Sequence, residues 1–389
     1  MAAPRNILVY ARTVWYDTYA KTIIELTKQL AEKHRVLYLD YQFTLKDLLT
    51  RLFKGDKRPT AGQILGFKSR LQVLQSGGRG VLYLYTPPPI IPVQALPEGW
   101  LYRQLQAWNT RLVNRGLRRA LRKLSMEQEL ILFNSFNPEF GQFYQGAFAE
   151  ARHIYHCYDV IEAAPWLSRH GGPAEHRYLP EVDAAIFTSH GLFEQKGGLS
   201  PQAFVVENGV DYPRYRAAFT PPPGQGIVGY VGAVDFRTDK ELLKAVIETC
   251  THFQFEFVGP VKDAGMRSFL EEHPRVKWHG LHPASDLPGF LARWDAGIIP
   301  FLDNEFTAGV YPLKVNEYLA VGLPVVSTPF GQMSRFADIV HLADEAQKYS
   351  KELKAAVAED TLEKRKIRSS FARQNSWEAR ARAVEKIIC

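Results

Sequence analysis

The chain alternates short apolar runs with helical stretches, and this alternation begins twice. In the first half the apolar runs lie at 6–10, 35–40, 81–85, 129–134, 152–157, 183–188 and 204–206. After the proline-rich stretch 220–224 they resume at 227–231, 254–258, 276–279, 296–300, 323–327 and 339–342. Strands separated by helices favour a mainly parallel sheet, and a run of prolines cannot continue a helix. The sequence therefore predicts an α/β protein with two Rossmann-like, doubly wound domains.

The length of 389 residues exceeds what one ordinary hydrophobic core organises. We predict an N-terminal domain over 1–210, a linker over 211–224 and a C-terminal domain over 225–364, with the helix 365–389 crossing back onto the N-terminal domain. Ligands bind at the carboxyl ends of the strands in such sheets, so a central cleft that both domains face is the expected site. The glycine-rich, basic stretch 46–80 is expected to be irregular.

The apolar runs are all short, and the cysteines are few. No run approaches the ~20 residues of a membrane-spanning helix, and the run 7–11 is too short for a secretory signal. Cys157, Cys250 and Cys389 are odd in number and scattered, which favours a reducing compartment and gives no metal spacing. We expect a cytoplasmic protein without a tightly bound metal or cofactor.

The net charge of +7 is concentrated in the first half. Residues 101–126 contain seven Lys or Arg and no Asp or Glu, and leucines recur there at helical spacing. A second basic, amphipathic piece lies at 45–54. One interpretation is that the apolar stripes pack in the core while the charges face solvent. The alternative is that the basic helices hold the protein against an anionic membrane, the inner face of the plasma membrane, at ~1 kcal/mol per residue. Nucleic acid is not expected, because no recognition motif accompanies the charge.

The segment 311–328 reads as a loop, a short helix, a glycine stop and a buried strand. Pro312 suits the first helical position, and Gly322 suits the left-handed residue that ends a helix. The free N–H groups at the start of such a helix favour an anion. Lys314 and Glu317 are three residues apart and share one helical face. The start of the helix would bind a phosphate, and the carboxylate of Glu317, one turn later, would bind sugar hydroxyls. Together these two preferences indicate a nucleotide.

The segment 229–240 follows the pattern of a strand, a glycine turn and a helix start. Gly232 would let the backbone approach a ligand closely, and Arg237 or Lys240 would offset pyrophosphate charge. The alternative is an ordinary turn with surface charges. The spacing does not match the G-x-G-x-x-G of dinucleotide sites, so a nicotinamide or flavin enzyme is not predicted.

Two strand ends carry further candidates. Asp159 follows the strand 152–157, where its carboxylate could act as a general base on an acceptor hydroxyl. The alternative is an Asp that caps the next segment or pairs with an Arg, and His156 and Glu162 are the other candidates for the base. A planar base could lie against the backbone at 279–281, where we expect His279 itself to pack rather than to react.

These segments together resemble the two-domain GT-B glycosyltransferases, particularly family 4 (group 1). The matching motifs occur in family order: VENGVD at 206–211, YVGAVD at 230–235, FEFVGP at 255–260, VKWHGL at 276–281, DAGIIPF at 295–301 and PLKVNEYLAVGLPVVST at 312–328. The likeness covers most of 200–330 and is nearest to the group around the teichuronic acid biosynthesis glycosyltransferase. The first half matches only in outline.

The resemblance implies a site that binds a UDP- or GDP-sugar donor. Glu317 would bind the ribose, and the diphosphate and base would lie against the remaining donor-binding residues: Gly232, Arg237, Lys240, Tyr311, Pro312, Leu313 and Lys314 for the diphosphate, and His279, Gly280 and Leu281 for the base. The sequence departs from the family at Gly309, where retaining members carry a glutamate, and Glu305 is out of register. This departure favours an inverting mechanism, for which Asp159 lies at the matching strand end.

The sequence thus predicts a glycosyltransferase that acts in cell-surface polysaccharide biosynthesis. The C-terminal domain would bind the donor, and the N-terminal domain would bind a glycan or polyprenyl-linked acceptor. Two alternatives stay open at this point. One is a nucleotide-sugar epimerase of the same architecture, and the other is a non-catalytic nucleotide-sugar-binding subunit.

Overall fold

A computed structural model describes residues 4–16, 22–54, 59–77, 79–144, 146–150, 152–163, 167 and 169–389. The chain divides into two compact units, each with its own parallel sheet. The N-terminal unit consists of Met1–Val206 together with Ala381–Cys389, and the C-terminal unit consists of Glu207–Arg380. The C-terminal end of the chain thus belongs to the first unit.

The N-terminal unit is built on an eight-stranded sheet in the order β3-β4-β2-β1-β5-β6-β7-β8. Its strands are β1 (Asn6–Ala11), β2 (Arg35–Leu39), β3 (Leu71–Gly77), β4 (Gly80–Tyr85), β5 (Leu130–Ser135), β6 (Arg152–Cys157), β7 (Ala184–Phe187) and β8 (Ala203–Val205). All neighbours pair in parallel except β3, which is antiparallel to β4 at one edge. The chain order reverses between β1 and β5.

The helices of this unit cover both faces of the sheet. They are α1 (Thr22–Leu30), α2 (Leu45–Lys54), α3 (Ala61–Leu65), α4 (Trp100–Lys123), α5 (Pro138–Gly141), α6 (Gly171–Tyr178) and α7 (His190–Lys196). Successive strand side chains point to opposite faces, and Leu8 and Leu37 pack with Leu117 of α4 while Ile7 and Val36 belong to the core on the other face. Burial on both faces explains why the strands are continuous apolar runs.

The C-terminal unit has a six-stranded, wholly parallel sheet in the order β11-β10-β9-β12-β13-β14. Its strands are β9 (Ile227–Val231), β10 (Gln254–Val258), β11 (Val276–Trp278), β12 (Ala296–Ile299), β13 (Val325–Ser327) and β14 (His341–Leu342). Its helices are α8 (Tyr212–Arg216), α9 (Lys240–Thr249), α10 (Ala264–Glu272), α11 (Leu287–Leu291), α12 (Glu305–Ala308), α13 (Leu313–Ala320), α14 (Ala346–Ala358) and α15 (Leu362–Gln374), followed by α16 (Trp377–Ile388), which ends in the N-terminal unit. Here the order reverses between β9 and β12.

Three details differ from the sequence-based expectations. The stretch 46–80 was expected to be irregular, but its described residues include most of α2, all of α3 and the edge strand β3. Part of the expected linker is helical, since Asp211 caps α8 by accepting a hydrogen bond from the Arg214 N–H. The chain rejoins the N-terminal unit at Ala381 rather than at 365, because α15 packs on α13, where the Ser369 hydroxyl donates to the Ala320 carbonyl at 2.9 Å. The acceptor and donor roles of the two domains stay predictions.

Candidate active site

The sheet of the C-terminal unit has its reversal of strand order between β9 and β12, which is where ligands bind in doubly wound sheets. The chain leaves the carboxyl end of β9 through the turn at Gly232, and it leaves β12 towards Phe301. The two exits are joined, because the Leu302 N–H donates to the Arg237 carbonyl at 2.8 Å. The segment 311–320, which contains Lys314 and Glu317, lies at this reversal point.

Helix α13 begins without a side-chain cap. Pro312 is the N-cap, one position earlier than the sequence suggested, with φ −78° and ψ 91°. Proline supplies no side-chain oxygen, so no side chain accepts from the first N–H groups of the helix, at Leu313 and Lys314. Gly322 ends the segment with φ +86°, as expected for a left-handed stop. The start of α13 therefore offers uncapped backbone donors.

The ammonium of Lys314 lies over two aromatic rings at the reversal point. Its Nζ is 4.0 Å from the ring centroid of Tyr230 and 4.5 Å from that of Phe301. A Cβ on Gly232 would lie 3.1 Å from the same Nζ, so the missing side chain leaves room for the ammonium. Burial, and next the positive charge of Arg237, lowers the pKa of Lys314 well below its ordinary value. Within the part of the chain that the structure describes, Lys314 forms no ion pair, and its charge is therefore not neutralised by a carboxylate contact.

The guanidinium of Arg237 is held beside Lys314 by the buried Asp235. Its Nε and one Nη donate to the two carboxylate oxygens at 2.9 and 2.8 Å. Burial alone would raise the pKa of Asp235, but these hydrogen bonds outweigh burial and lower it. Lys240 is directed elsewhere, because its Nζ is 2.6 Å from the carboxylate of Asp263. The structure thus groups Arg237 with Lys314 and pairs Lys240 with an acidic partner instead.

Glu317 lies one turn after Lys314 and receives a hydrogen bond from the hydroxyl of Tyr215 on α8. Burial raises the pKa of this carboxyl, while Tyr215, Lys314 and Arg214 each lower it. Tyr311, just before the helix, is tied down because its hydroxyl accepts a hydrogen bond from Asn316 at 2.8 Å. The carboxylate of Glu317 is therefore oriented by a neighbour that the sequence analysis did not identify.

Three glycines with positive φ form a backbone ledge at the ends of β9, β10 and β11. Gly232 has φ +128°, Gly259 has φ +139° and Gly280 has φ +71°. A Cβ on Gly259 would lie 2.2 Å from the Gly232 carbonyl oxygen, and the Gly259 N–H donates to the Gly280 carbonyl at 2.7 Å. Leu281 follows as an exposed side chain. At Gly280 no atom of the described residues lies within 4 Å of the position that a Cβ would take, so a planar group can approach the backbone closely there.

The side chain of His279 is part of the packing beneath this ledge. Its ring lies 3.5 Å from the buried carboxylate of Glu256 and packs edge-on to Phe290. Burial lowers the pKa of His279, although Glu256 raises it. Glu256 also accepts from the indole N–H of Trp294 at 2.7 Å and from Arg293 at 2.7 Å. The structure therefore positions His279 through Glu256, a residue that the sequence analysis missed.

Position 309, where the resemblance leads one to look for a glutamate, is buried backbone. Gly309 is the C-cap of α12, with φ −84°. Glu305 is the first residue of that helix, is exposed, and follows an N-cap at Asn304. Glu305 and Gly309 therefore lie at opposite ends of the same short helix, and the glutamate is four residues out of register with position 309.

In the N-terminal unit, Asp159 lies just after the carboxyl end of β6 and is partly exposed. One carboxylate oxygen accepts from the N–H of the next residue, Val160, at 2.9 Å. Of the other two candidates, His156 is buried, is 3.1 Å from the Ser135 hydroxyl, and has its pKa lowered by burial to about 3. Glu162 pairs with Lys196 at 2.8 Å. Of the three candidates, His156 is buried, whereas Asp159 and Glu162 are both accessible to solvent.

A buried polar cluster at the reversal point of this sheet was not foreseen. Arg12 follows β1 and pairs at 2.9 Å with Glu139, which lies in α5 after β5 and is fully buried. Gln94 donates to the same carboxylate at 2.5 Å, and the hydroxyl of Tyr102 lies 3.4 Å away. Arg12 and Glu139 are far in sequence from each other and from the other two residues, so no local motif indicates the cluster. Their position is where the N-terminal unit would bind a ligand.

Comparisons with known proteins bear on the C-terminal unit most directly. Residues 225–358 match the family model described as Glycosyl transferases group 1. Residues 225–358 form a group 1 glycosyltransferase domain. The chain is 32% identical over 139 residues to TuaH of Bacillus subtilis (strain 168), which is named as a teichuronic acid biosynthesis glycosyltransferase. That match covers 33% of this chain and spans about a third of TuaH (35%).

Solved structures extend the likeness from residues 225–358 to the fold of the whole chain. Sucrose-phosphate synthase from Thermosynechococcus elongatus superposes with a TM-score of 0.67 at 16% identity over 98% of each chain. Anabaena HepE, solved with UDP and glucose, gives a TM-score of 0.63 at 14% identity over 98% of this chain and 99% of its own. The predicted GT-B class with two Rossmann-like domains is confirmed, and the predicted resemblance to group 1 glycosyltransferases is confirmed for residues 225–358.

The described residues contain no helix with the length and apolar character needed to cross a bilayer. They also contain no group of three or more His, Cys, Asp or Glu side chains arranged to hold a metal ion. The donor-binding and catalytic assignments of individual residues are taken up below as proposals.

Proposed function

We propose that this protein transfers a sugar from a nucleotide diphosphate sugar to a hydroxyl group of an acceptor. The observation that carries the proposal is the ammonium of Lys314, which lies at the strand-order reversal of the group 1 domain without an ion pair among the described residues. Arg237 adds a second positive charge, and the start of α13 adds uncapped N–H groups. A diphosphate is the ligand whose charge complements all three.

Donor recognition then divides between the two ends of the site. Lys314, Arg237 and the N–H groups at Leu313 and Lys314 hold the diphosphate and stabilise its charge as it leaves. Glu317 accepts hydrogen bonds from the ribose hydroxyls. The base lies on the glycine ledge beside Leu281. HepE was solved with UDP and glucose, which supports UDP as the first nucleotide to test, with GDP as the alternative.

The acceptor is proposed to bind the N-terminal unit, and Asp159 is proposed as the general base. In this reaction Asp159 takes the proton of the acceptor hydroxyl, whose oxygen forms the new bond to the anomeric carbon. The bond between that carbon and the diphosphate oxygen breaks, and the nucleotide diphosphate leaves with the electron pair. The glycine at position 309, where retaining members of the family carry a glutamate, supports an inverting mechanism.

The name of TuaH supports a glycan or polyprenyl-linked acceptor in cell-surface polysaccharide biosynthesis. The catalytic test is transfer of labelled sugar from a panel of UDP- and GDP-sugars to membrane glycolipids or cell-wall glycan. Asp159→Asn should abolish transfer and leave nucleotide binding intact. Asp183→Asn is the matched control, because Asp183 also accepts a backbone N–H, that of His153 at 2.7 Å, but lies before β7 rather than after a strand. Equal turnover in both variants would remove Asp159 from the mechanism.

The same assay separates the alternatives. An epimerase would change the nucleotide sugar without any acceptor, so product sugars are analysed in an acceptor-free reaction. A non-catalytic subunit would bind the nucleotide but release no free nucleotide diphosphate with any acceptor. Either result would replace the transferase proposal.

We further propose that the protein works at the cytoplasmic face of an anionic membrane, through the exposed face of α4. Trp100 is 74% exposed and Trp108 is 49% exposed, and both lie on the helix face that bears its arginines. The exposed members of this face, at spacings of three or four residues, are Trp100, Gln104, Trp108, Arg111, Arg115, Arg118 and Arg122. Tryptophan suits the headgroup level of a bilayer, and arginine suits its anionic surface.

This membrane proposal is tested with vesicles of phosphatidylcholine, alone and with phosphatidylglycerol. The double variant Trp100→Ser, Trp108→Ser should lose sedimentation with the anionic vesicles. Ile367→Ser, which removes an equally exposed apolar side chain from α15, should not. Sedimentation that is unaffected by the tryptophan changes, or that appears only as self-association, would contradict the proposal.

A further inference from the structure

The N-terminal unit contains a pocket of about 320 Å³ beside the C-terminal half of α4. Its other wall is formed by the residues where β3 begins and β4 ends. Four cationic side chains line it, Arg70, Arg115, Arg119 and Lys123, and no acidic residue does. The proposed donor site and the proposed base use none of these residues.

Three of the cations come from successive turns of one helix. Arg115, Arg119 and Lys123 are four residues apart, so their side chains lie on the same side of α4. In the part of the chain that the structure describes, none of the three has an ion pair or hydrogen bond to another side chain. Like charges at this spacing repel each other, and here no carboxylate offsets the repulsion.

The fourth cation is fixed in place from the opposite wall. The guanidinium of Arg70 donates to the carbonyl of Ile64 at 2.8 Å and to that of Gln63 at 3.3 Å. These two bonds use only part of its five donors, and they orient the planar group. The pocket is therefore lined by one pre-oriented guanidinium and three cations without partners.

A buried tyrosine adds a neutral donor to this set. Tyr85 ends β4, and a Cβ on Gly116 of α4 would lie 2.1 Å from its hydroxyl oxygen, so the hydroxyl reaches the helix only because residue 116 is glycine. Burial raises the pKa of Tyr85, while the charges of Arg70 and Arg119 lower it. The Tyr85 hydroxyl thus lies near guanidinium groups from both walls.

We propose that this pocket is a binding site for a phosphate group. Several cations that converge without a carboxylate match the charge of a phosphate monoester or diphosphate, and arginines bind its oxygens in pairs. A hydroxyl donor beside them suits the remaining oxygens. The site is additional to the donor site in the group 1 domain. The phosphate belongs either to a lipid headgroup or to a soluble phosphorylated compound.

The test uses the full chain and two double variants with the same loss of charge. Arg119→Gln with Lys123→Gln removes two cations from the pocket and none from the proposed membrane face of α4, and Lys351→Gln with Lys354→Gln removes two cations of α14 outside the pocket. Both variants are first checked for unchanged circular dichroism, since all four side chains are exposed. Binding of inorganic phosphate and of pyrophosphate is measured by titration calorimetry at constant ionic strength, with saturating UDP or GDP present so that the proposed donor site is occupied. Vesicles with and without phosphatidic acid form the second arm.

We expect the pocket variant to weaken phosphate or pyrophosphate binding by about thirtyfold and the control variant by no more than about twofold. If the pocket variant binds phosphate or pyrophosphate more weakly than the control variant does, the ligand of the pocket is a soluble phosphate compound. If the pocket variant is weaker only in binding vesicles that contain phosphatidic acid, the ligand is a lipid headgroup. Equal losses in the two variants in both arms, or no binding in either arm, would overturn the proposal. Because nucleotide binding is measured separately with UDP, a failure of the donor site is distinguished from a failure of this pocket.

Discussion

Replacing Lys314 with methionine tests the proposed diphosphate site at the side chain on which it chiefly depends. The ammonium is partly buried against Tyr230 and Phe301 and lies near Arg237, and these surroundings disfavour its charge. Methionine keeps the length and the contacts with the rings but removes the charge. The substitution should therefore improve the stability of the unliganded protein and impair its affinity for a diphosphate.

The expected magnitudes follow from the two kinds of interaction. A charged hydrogen bond to phosphate contributes ~1.5–3 kcal/mol, so Lys314→Met should raise the Kd for UDP or GDP by about 10- to 150-fold. Replacing a desolvated charge by an apolar group is neutral or stabilising by ~1 kcal/mol or more. For a unit of this size that corresponds to a rise in Tm of ~2–4 °C.

The direction in which stability changes with pH provides an independent test of the surroundings of Lys314. The pKa of Lys314 in the folded protein lies below its unfolded value of 10.5. Between the two values the unfolded chain binds more protons, so the stability of the unliganded wild type should rise with pH in the alkaline range. The methionine variant should lack this contribution. Differential scanning calorimetry at several alkaline pH values measures it.

The matched control is Lys244→Met, since Lys244 forms an exposed pair with Glu241 on α9. It should change neither the affinity for nucleotide diphosphates nor the alkaline stability. If Lys314→Met lowers Tm and leaves nucleotide affinity unchanged, Lys314 has only a structural role and the assignment of the diphosphate site is refuted.

Three further predictions concern neighbouring residues. Glu317→Gln should weaken UDP binding by about tenfold and leave pyrophosphate binding unchanged, because only the nucleotide carries a ribose; isothermal titration with both ligands checks this. Glu256→Gln should lower the free energy of unfolding by ~1–3 kcal/mol in urea titrations, since it removes the charge that Arg293 and Trp294 bind. The folded pKa of Glu256 is lowered, so the wild-type advantage over this variant is present above the unfolded pKa near 4.5 and is lost as pH falls through the folded value. Gly259→Ala should cost more than ~2 kcal/mol in thermal unfolding, because φ is +139° and the Cβ would overlap the Gly232 carbonyl, whereas Gly289→Ala, with open space around it, should be neutral or stabilising.

The parts of the site that lie close together in sequence could be predicted from it. The stop at Gly322 and the shared face of Lys314 and Glu317 follow from helix geometry within ten residues, and the structure contains both. The start of α13 was displaced by one residue, because Pro312 precedes the helix rather than opening it. Helix ends depend on single hydrogen bonds, so predicted helix boundaries are commonly wrong by one or two residues.

The parts that depend on distant residues could not be predicted. Glu317 is oriented by Tyr215, about a hundred positions earlier, and Lys240 is drawn to Asp263 rather than to a diphosphate. Similarly, Glu139 meets Arg12 only because β1 and β5 are neighbours in the sheet. No local periodicity encodes such pairings, since they arise from the order of strands.

The edge strand β3 escaped prediction for a different reason. The run Leu71–Gly77 has only partial alternation and includes a register shift between Val73 and Gln75. Its pairing with β4 is antiparallel at the border of a parallel sheet, which the pattern of alternating strands and helices does not suggest. The basic pocket beside it could therefore not be predicted from the sequence, although three of the four cations that line it belong to the basic stretch 101–126.

The central claim is that the group 1 domain binds a nucleotide diphosphate at the start of α13 and the turn after β9. Hydrogen–deuterium exchange of the full chain, with and without saturating UDP, GDP, ADP or TDP, tests it most directly. We predict that at least one nucleotide slows exchange in peptides that cover 229–240 and 311–320, and that Lys314→Met removes this protection. Protection confined to the N-terminal unit, or none with any of the four nucleotides, would contradict the claim.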